Sequence, residues 1–454
     1  MKISRVWAFG LLSGLVFTVL GTAGAAALDV PHTLHHIRTG ATHLTESHRR
    51  HIAPHAASPA GKPATTHTAA RHAATKAEPA AQRARLTPRG AARAELRRAS
   101  LTIRHHFFER FTASSFASGD IFAGDVTAGE DPVVRKAAID ALDGMNGTAV
   151  VIDPANGRIL AMVNQKLALS PGAEPCSTIK ITVAMAALSE GLVTSDTMVQ
   201  LAGFRMNMTQ ALAKSNNLYF EELGRELGFD RVRHYANQFG LGELAGYNIP
   251  GEQLGVYPDQ ELPAAEGGVG RMCSFGQGVS LTPLQLGAYV AALANGGTLY
   301  YLQHPSTQEE ALALTPKVKR TLDIARYVPE MQDGMAGAVE YGTARRLSAT
   351  FHDFPVFGKT GTCSNNGTRF GWFASFADPP QGGLVTVFFL EGGRPTFGPR
   401  AAELTGAFYK NLSDRNYFAN KTQQTAQVAV PADAAEPASQ EFTTAQPGAQ
   451  KLPR

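Results

Sequence analysis

The sequence predicts an α+β fold: an antiparallel five-stranded sheet flanked by helices, beside an all-helical subdomain. Two observations carry this. Short apolar runs bounded by turn residues gather at 149–164 and at 356–390, and the stretch between them repeats its apolar residues at helical spacing. Ala149 to Asp153 and Ile159 to Asn164 read as two strands split by the hairpin signal Pro154-Ala155-Asn156-Gly157. Val356 to Cys363, Phe370 to Phe376 and Leu384 to Leu390 read as three more. They are separated by Ser364-Asn365-Asn366-Gly367 and by Pro379-Pro380-Gln381-Gly382-Gly383, and Ala401 to Leu412 reads as a closing helix. The middle is expected to be helical at Thr178 to Leu188, Met208 to Leu223, Phe229 to Phe239 and Thr282 to Asn295. Strands at both ends with helices between imply a sheet filled from both ends of one domain.

The 454 residues, 44% hydrophobic and 18% charged, suffice for one large domain or two modest ones. Charge is spread unevenly. Residues 29–100 hold twelve Lys/Arg against four Asp/Glu, with nine of the fourteen histidines. The net charge of +4 therefore describes a basic arm on a mildly acidic body, and argues against a nucleic-acid-binding protein. Lys2 and Arg5 precede an apolar stretch from Val6 to Leu28, which reads as a cleavable signal peptide ending near Ala25-Ala26-Ala27 or as an uncleaved membrane anchor. Either way the positive start stays in the cytoplasm and the body is exported. Residues 29–100 lack apolar periodicity and read as a disordered spacer, their histidines scattered without ligand-type spacing, so no metal or cofactor is expected. The folded domain is expected over 101–415, with a disordered tail over 416–454.

Three short motifs carry the chemistry: Ser177-Thr178-Ile179-Lys180, Ser215-Asn216-Asn217 and Lys359-Thr360-Gly361-Thr362. Each is weak alone, but their order and settings fit a serine nucleophile activated by a lysine. Positions i and i+3 share a helix face, so Lys180 lies one turn from the Ser177 hydroxyl. Ile179, Ile181, Val183, Met185 and Leu188 make that helix apolar nearly all round, which implies burial and a lowered lysine pKa. Ser215 can relay a proton, and Asn217 can bond an amide of the acyl donor. Lys359 supplies a cation for Ser215 or a substrate carboxylate, the Thr360 and Thr362 hydroxyls suit the same carboxylate, and Gly361 lets backbone approach a ligand. The backbone N–H groups of Ser177 and Thr362 would form an oxyanion hole.

With these motifs the chain resembles the penicillin-binding protein transpeptidase family. The similarity extends to Asp153-Pro154 through Val163, to Ile249-Pro250-Gly251-Glu252 and Pro258, and to Phe275-Gly276-Gln277-Gly278, Leu281-Thr282-Pro283-Leu284-Gln285 and Ala294-Asn295-Gly296-Gly297, a run typical of class B-like members. It implies a β-lactamase/transpeptidase-like fold over about 145–412. It also implies that Ser177 is acylated by a D-alanyl-D-alanine peptidoglycan stem peptide or by a β-lactam that mimics one, at the outer face of the bacterial inner membrane or in the periplasm. Two departures stand out. The family's long pedestal before the catalytic domain, which supports docking to a glycan polymerase, is not recognisable here. Glu130-Asp131-Pro132 only superficially resembles a glycosyltransferase motif. The link from Val163 to Ser177 is also short, which predicts a more open groove beside the nucleophile.

The rival enzyme reading is a class D-like serine β-lactamase, which Pro175 to Lys180 also resembles. That class usually has an aliphatic residue where Asn217 stands, and no Glu sits in a class A-like deacylation context. A penicillin-sensing domain without turnover is the third reading. Of the three cysteines, Cys176 precedes the nucleophile and Cys363 follows Thr362. A Cys176–Cys363 bridge is expected, by resemblance to carbapenem-hydrolysing class A β-lactamases and because oxyanion roles for Ser177 and Thr362 would bring the two together. Two buried free thiols are the alternative, and Cys273 is left as a small buried residue.

Overall fold

The computed structural model describes residues 111–379 and 383–419. The export segment at 1–28, the spacer at 29–100 and the tail beyond Ala419 lie outside the described residues. After an opening helix α1 (Pro132–Leu142), the chain forms β1 (Gly147–Ile152) and β2 (Ile159–Val163). The turn between them is an Asx turn. Asp153 Oδ1 accepts from the Ala155 N–H at 2.9 Å, and Gly157 takes the left-handed φ of +77°.

The helical middle contains α2 (Lys180–Ser189), α3 (Met208–Lys214), α4 (Asn217–Leu227), α5 (Phe229–Gln238), α6 (Gly268–Phe275), α7 (Pro283–Ala294) and α8 (Val328–Glu340). Two small ribbons interrupt it, β3 (Val199–Leu201) with β4 (Phe204–Met206), and β5 (Thr298–Tyr300) with β6 (Val318–Thr321). The chain then returns through β7 (Val356–Asn365), β8 (Thr368–Ala377) and β9 (Leu384–Gly392) and closes with α9 (Gly398–Asp414). Asn366 and Gly367 make the β7–β8 turn with φ of +49° and +75°, both positive as a two-residue hairpin of this twist requires.

The main sheet has the order β2-β1-β9-β8-β7, every pair antiparallel. The first hairpin therefore docks on the last strand, and β7 is left as an edge. Side chains alternate between two cores. Val150, Ile152, Trp372, Val387 and Phe389 face the helical middle, with α7 buried against them. Ala149, Val151, Phe373, Phe388 and Leu390 face α1 and α9. Burial on both faces explains why β1 and β9 read as continuous apolar runs rather than as alternation.

Three expectations need correction. The single helix expected over 208–223 is broken at Ser215, whose φ of +54° ends α3, while Asn216 starts α4 by accepting the Tyr219 N–H at 3.0 Å. The helix expected from Thr178 opens instead as a tight 3₁₀ turn, Cys176–Ile179. Residues just past the expected domain end at 415 are packed: Tyr417 OH lies 3.2 Å from Asp131 Oδ2, and Phe418 is buried beside Phe354.

Glu130-Asp131-Pro132 has a structural task. Asp131 caps α1, accepting from the Val133 N–H at 2.9 Å and the Val134 N–H at 3.1 Å, and Pro132 opens the helix. Buried Glu130 pairs with Arg135 at 2.9 Å, contacts His304 Nε2 at 2.9 Å and accepts from the Met162 N–H at 2.9 Å. Glu130→Ala leaves the Met162 N–H without its buried acceptor and removes one of the two carboxylates paired with Arg135, the other being Asp125 at 2.6 Å, and should cost about 3–5 kcal/mol, measurable by urea unfolding.

Candidate active site

Three elements converge, and each brings one motif. The strap Pro175–Ile179 leads into α2, the α3–α4 junction holds Ser215, and the edge strand β7 carries Lys359 to Thr362. In a 3₁₀ turn, residues three apart eclipse one another. Ser177 and Lys180 straddle the turn and α2, and Lys180 Nζ lies 3.0 Å from Ser177 Oγ. The same amine donates to the Ser215 carbonyl at 2.9 Å and to Asn217 Oδ1 at 2.6 Å, and lies 3.2 Å from Ser215 Oγ. Lys359 Nζ reaches the same Ser215 hydroxyl at 2.8 Å. One hydroxyl thus sits between two lysine amines.

Both amines belong to fully buried side chains. Burial pulls the Lys180 pKa well below the usual lysine value, the Lys359 charge lowers it further, and Glu221 opposes the shift. Burial alone brings Lys359 down to about 7. Ser177, Ser215 and Asn217 are half-buried, so the hydroxyls reach the groove while the amines stay dry.

The other motif residues are placed less uniformly. Gly361 was expected to admit a ligand; it admits the strap. A Cβ there would stand 2.8 Å from the Pro175 carbonyl oxygen and 3.2 Å from Thr178 Cγ2. Thr360 lies deeper than expected, almost fully buried, with its hydroxyl 2.6 Å from that of Thr343. Thr362 Oγ1 accepts the Gly398 N–H at 2.8 Å from the start of α9, which leaves its own proton for a ligand. Thr343 and Gly398 were not singled out by sequence. The glycine beside Thr343, Gly342, was the available signal, because its Cβ would stand 2.1 Å from the Ala213 carbonyl oxygen.

Cys176 and Cys363 are joined, with Cα atoms 5.6 Å apart, and Cys176 holds a left-handed φ of +51°. A non-glycine residue in that region costs about 1–2 kcal/mol. The bridge and the Trp372 indole, which donates to the Glu174 carbonyl at 3.0 Å, both pin this strap to the sheet. The short link ahead of it borders a cavity of about 420 Å³ lined in part by Ala173, Glu174, Phe370 and Glu391. Burial raises the pKa of both carboxyls. Cys273 is a buried free thiol packed beside Gly224 of α4. Among the described residues no group of three His, Cys, Asp or Glu is placed to hold a metal.

A family model described as the penicillin binding protein transpeptidase domain matches residues 147–409, more than half of the chain. The chain belongs to this family. Stage V sporulation protein D of Bacillus subtilis is 29% identical over 317 residues, covering 58% of this chain and 48% of that protein. Peptidoglycan D,D-transpeptidase MrdA of Acinetobacter baumannii is 26% identical over 351 residues, covering 60% and 51%. The chain thus spans about half the length of these two relatives of the transpeptidase family. Among solved structures, Pseudomonas aeruginosa PBP2 in complex with WCK 5153 superposes with a TM-score of 0.52 at 23% identity, covering 67% of this chain and 80% of that one. A peptidoglycan glycosyltransferase from Burkholderia ambifaria gives 0.55 at 19%, covering 64% and 98%. Both share the α+β transpeptidase fold.

Cys363→Ser removes the clasp between strap and strand. Unfolding in urea should show a loss of about 2–4 kcal/mol against the oxidised parent, and reduced parent should behave like the variant.

Proposed function

We propose that the protein is a penicillin-binding serine D,D-transpeptidase of the cell wall, exported to the periplasm or anchored at the outer face of the inner membrane. It acts on D-alanyl-D-alanine stem peptides through an acyl-Ser177 intermediate. The supporting observation is the coordination of Lys180. Its two firm acceptors, the Ser215 carbonyl and Asn217 Oδ1, use both N–H bonds of a neutral amine. The lone pair is then left facing Ser177 Oγ. That is the arrangement a general base needs.

The steps balance. Lys180 takes the Ser177 proton as Oγ bonds the penultimate D-alanine carbonyl carbon, and the backbone N–H groups of Ser177 and Thr362 receive the oxyanion. The peptide C–N bond then breaks, and the departing D-alanine nitrogen takes a proton through Ser215. An amine of a second stem peptide then attacks the ester carbon and gives up a proton through Ser215, while Ser177 Oγ leaves as the acyl–Oγ bond breaks and takes back the proton held by Lys180. Lys359, Thr362 and the less exposed Thr360 hold the terminal carboxylate, and the Asn217 amide nitrogen faces the donor peptide. Attack by water instead would give D,D-carboxypeptidase activity on the same intermediate.

Fluorescent penicillin should label the parent stably, whereas Ser177→Ala should not label. Equal labelling of the variant would refute the nucleophile assignment, and rapid loss of label with cephalosporin turnover would make the protein a β-lactamase. Acylation should rise with pH through the lowered Lys180 pKa and fall above about 7 as Lys359 loses its charge. In Lys359→Arg the alkaline limb should vanish while the acid limb remains, because a guanidinium does not titrate there.

A further inference from the structure

Thr343, outside the three motifs, touches two of the elements that carry them. Helix α8 ends at Glu340 with Tyr341 as its cap, and Gly342 turns the chain against α3 so closely that any side chain there would strike the Ala213 carbonyl. The next residue, Thr343, donates its N–H to that same carbonyl at 3.1 Å, two positions before Ser215. Its hydroxyl lies 2.6 Å from the Thr360 hydroxyl, one position after Lys359. Thr343 therefore spans the gap between the α3–α4 junction and the edge strand, which are otherwise joined at Ser215 Oγ by Lys359.

We propose that Thr343 is a positioning residue. It orients the Thr360 hydroxyl on β7 and through it the anchoring of the substrate's terminal carboxylate. The inference rests on the transpeptidase reading above and adds a residue to it. Thr360 is almost fully buried, so few partners can fix its hydroxyl rotor. When Thr343 donates to Thr360 Oγ1, the Thr360 proton is turned outward, toward the side on which a carboxylate would lie. Two hydroxyls in series also polarise one another, which strengthens the outer bond. The backbone bond to Ala213 fixes where Thr343 stands, and hence where that proton points.

Acylation by fluorescent penicillin, followed over a range of concentrations and pH, tests this. Thr343→Val keeps the branched shape and the backbone N–H but loses the hydroxyl. Its second-order acylation constant should fall about 5- to 10-fold, as expected for loss of one neutral hydrogen bond. The fall should come chiefly from a higher half-saturation concentration, with the pH profile keeping its limbs. Thr343→Ser should stay within about twofold of the parent, since it restores the hydroxyl. The double variant Thr343→Val, Thr360→Val should be no slower than Thr360→Val alone, because a residue acting through Thr360 has nothing further to lose. If the Val variant does not fold, Thr343→Ala, which removes volume rather than adding it, takes its place in the cycle. A Val or Ala variant that acylates like the parent overturns the proposal. So does a double variant in which the two losses multiply, which would put Thr343 in direct contact with ligand. A parent that never labels refutes the transpeptidase reading itself, and the inference falls with it.

Discussion

Lys180 and Lys359 are buried to zero exposure and meet at one hydroxyl, Ser215 Oγ, at 3.2 and 2.8 Å. Removing two ammonium groups from water is costly, and setting them near one another costs more. Burial lowers both pKa values, that of Lys359 to about 7, so the penalty falls as one of the two amines gives up its proton. Much of the surrounding architecture can be understood as holding this arrangement in place. The apolar α2 keeps Lys180 dry, β8 and β9 back the strand that carries Lys359, and the break at Ser215 turns both a carbonyl and a hydroxyl toward the amines.

That break also shows how local backbone and chemistry are linked. Ser215 at φ +54° and Cys176 at φ +51° are non-glycine residues in the left-handed region, and each stands in or next to a motif. Strain of this kind persists where surrounding contacts over-determine it. For Ser215 these are the Asn216 cap and the two lysines; for Cys176 they are the bridge to Cys363. The backbone is bent where side chains must be aimed.

The sheet and the closing helix were legible in the sequence because apolar runs and turn residues are local signals. Val356 to Leu390 reads correctly as three strands, and Asn366-Gly367 announces its own hairpin. The three motifs whose residues Ser177, Lys180, Ser215 and Lys359 come within hydrogen-bond distance could be picked out by residue type and order. The helix break at Ser215 was harder. Met208 to Leu223 keeps its apolar period across the junction, and only the capping character of Ser-Asn-Asn marks the stop. Thr343 had only the adjacent Gly342 as a local signal and Gly398 opens a helix, and what makes either matter is a contact with β7, 17 and 36 residues away. Glu130-Asp131-Pro132 erred in the other direction, as a motif-like string whose side chains cap a helix and fill a core.

The Cys176–Cys363 bridge joins residues 187 positions apart. Everything between them, including the whole helical middle, is therefore one covalent ring tied off beside Ser177. A single cut in the peptide chain within that ring would release neither half of the site. The strap and the edge strand would remain on a single connected molecule, joined through sulfur instead of through the intervening peptide chain.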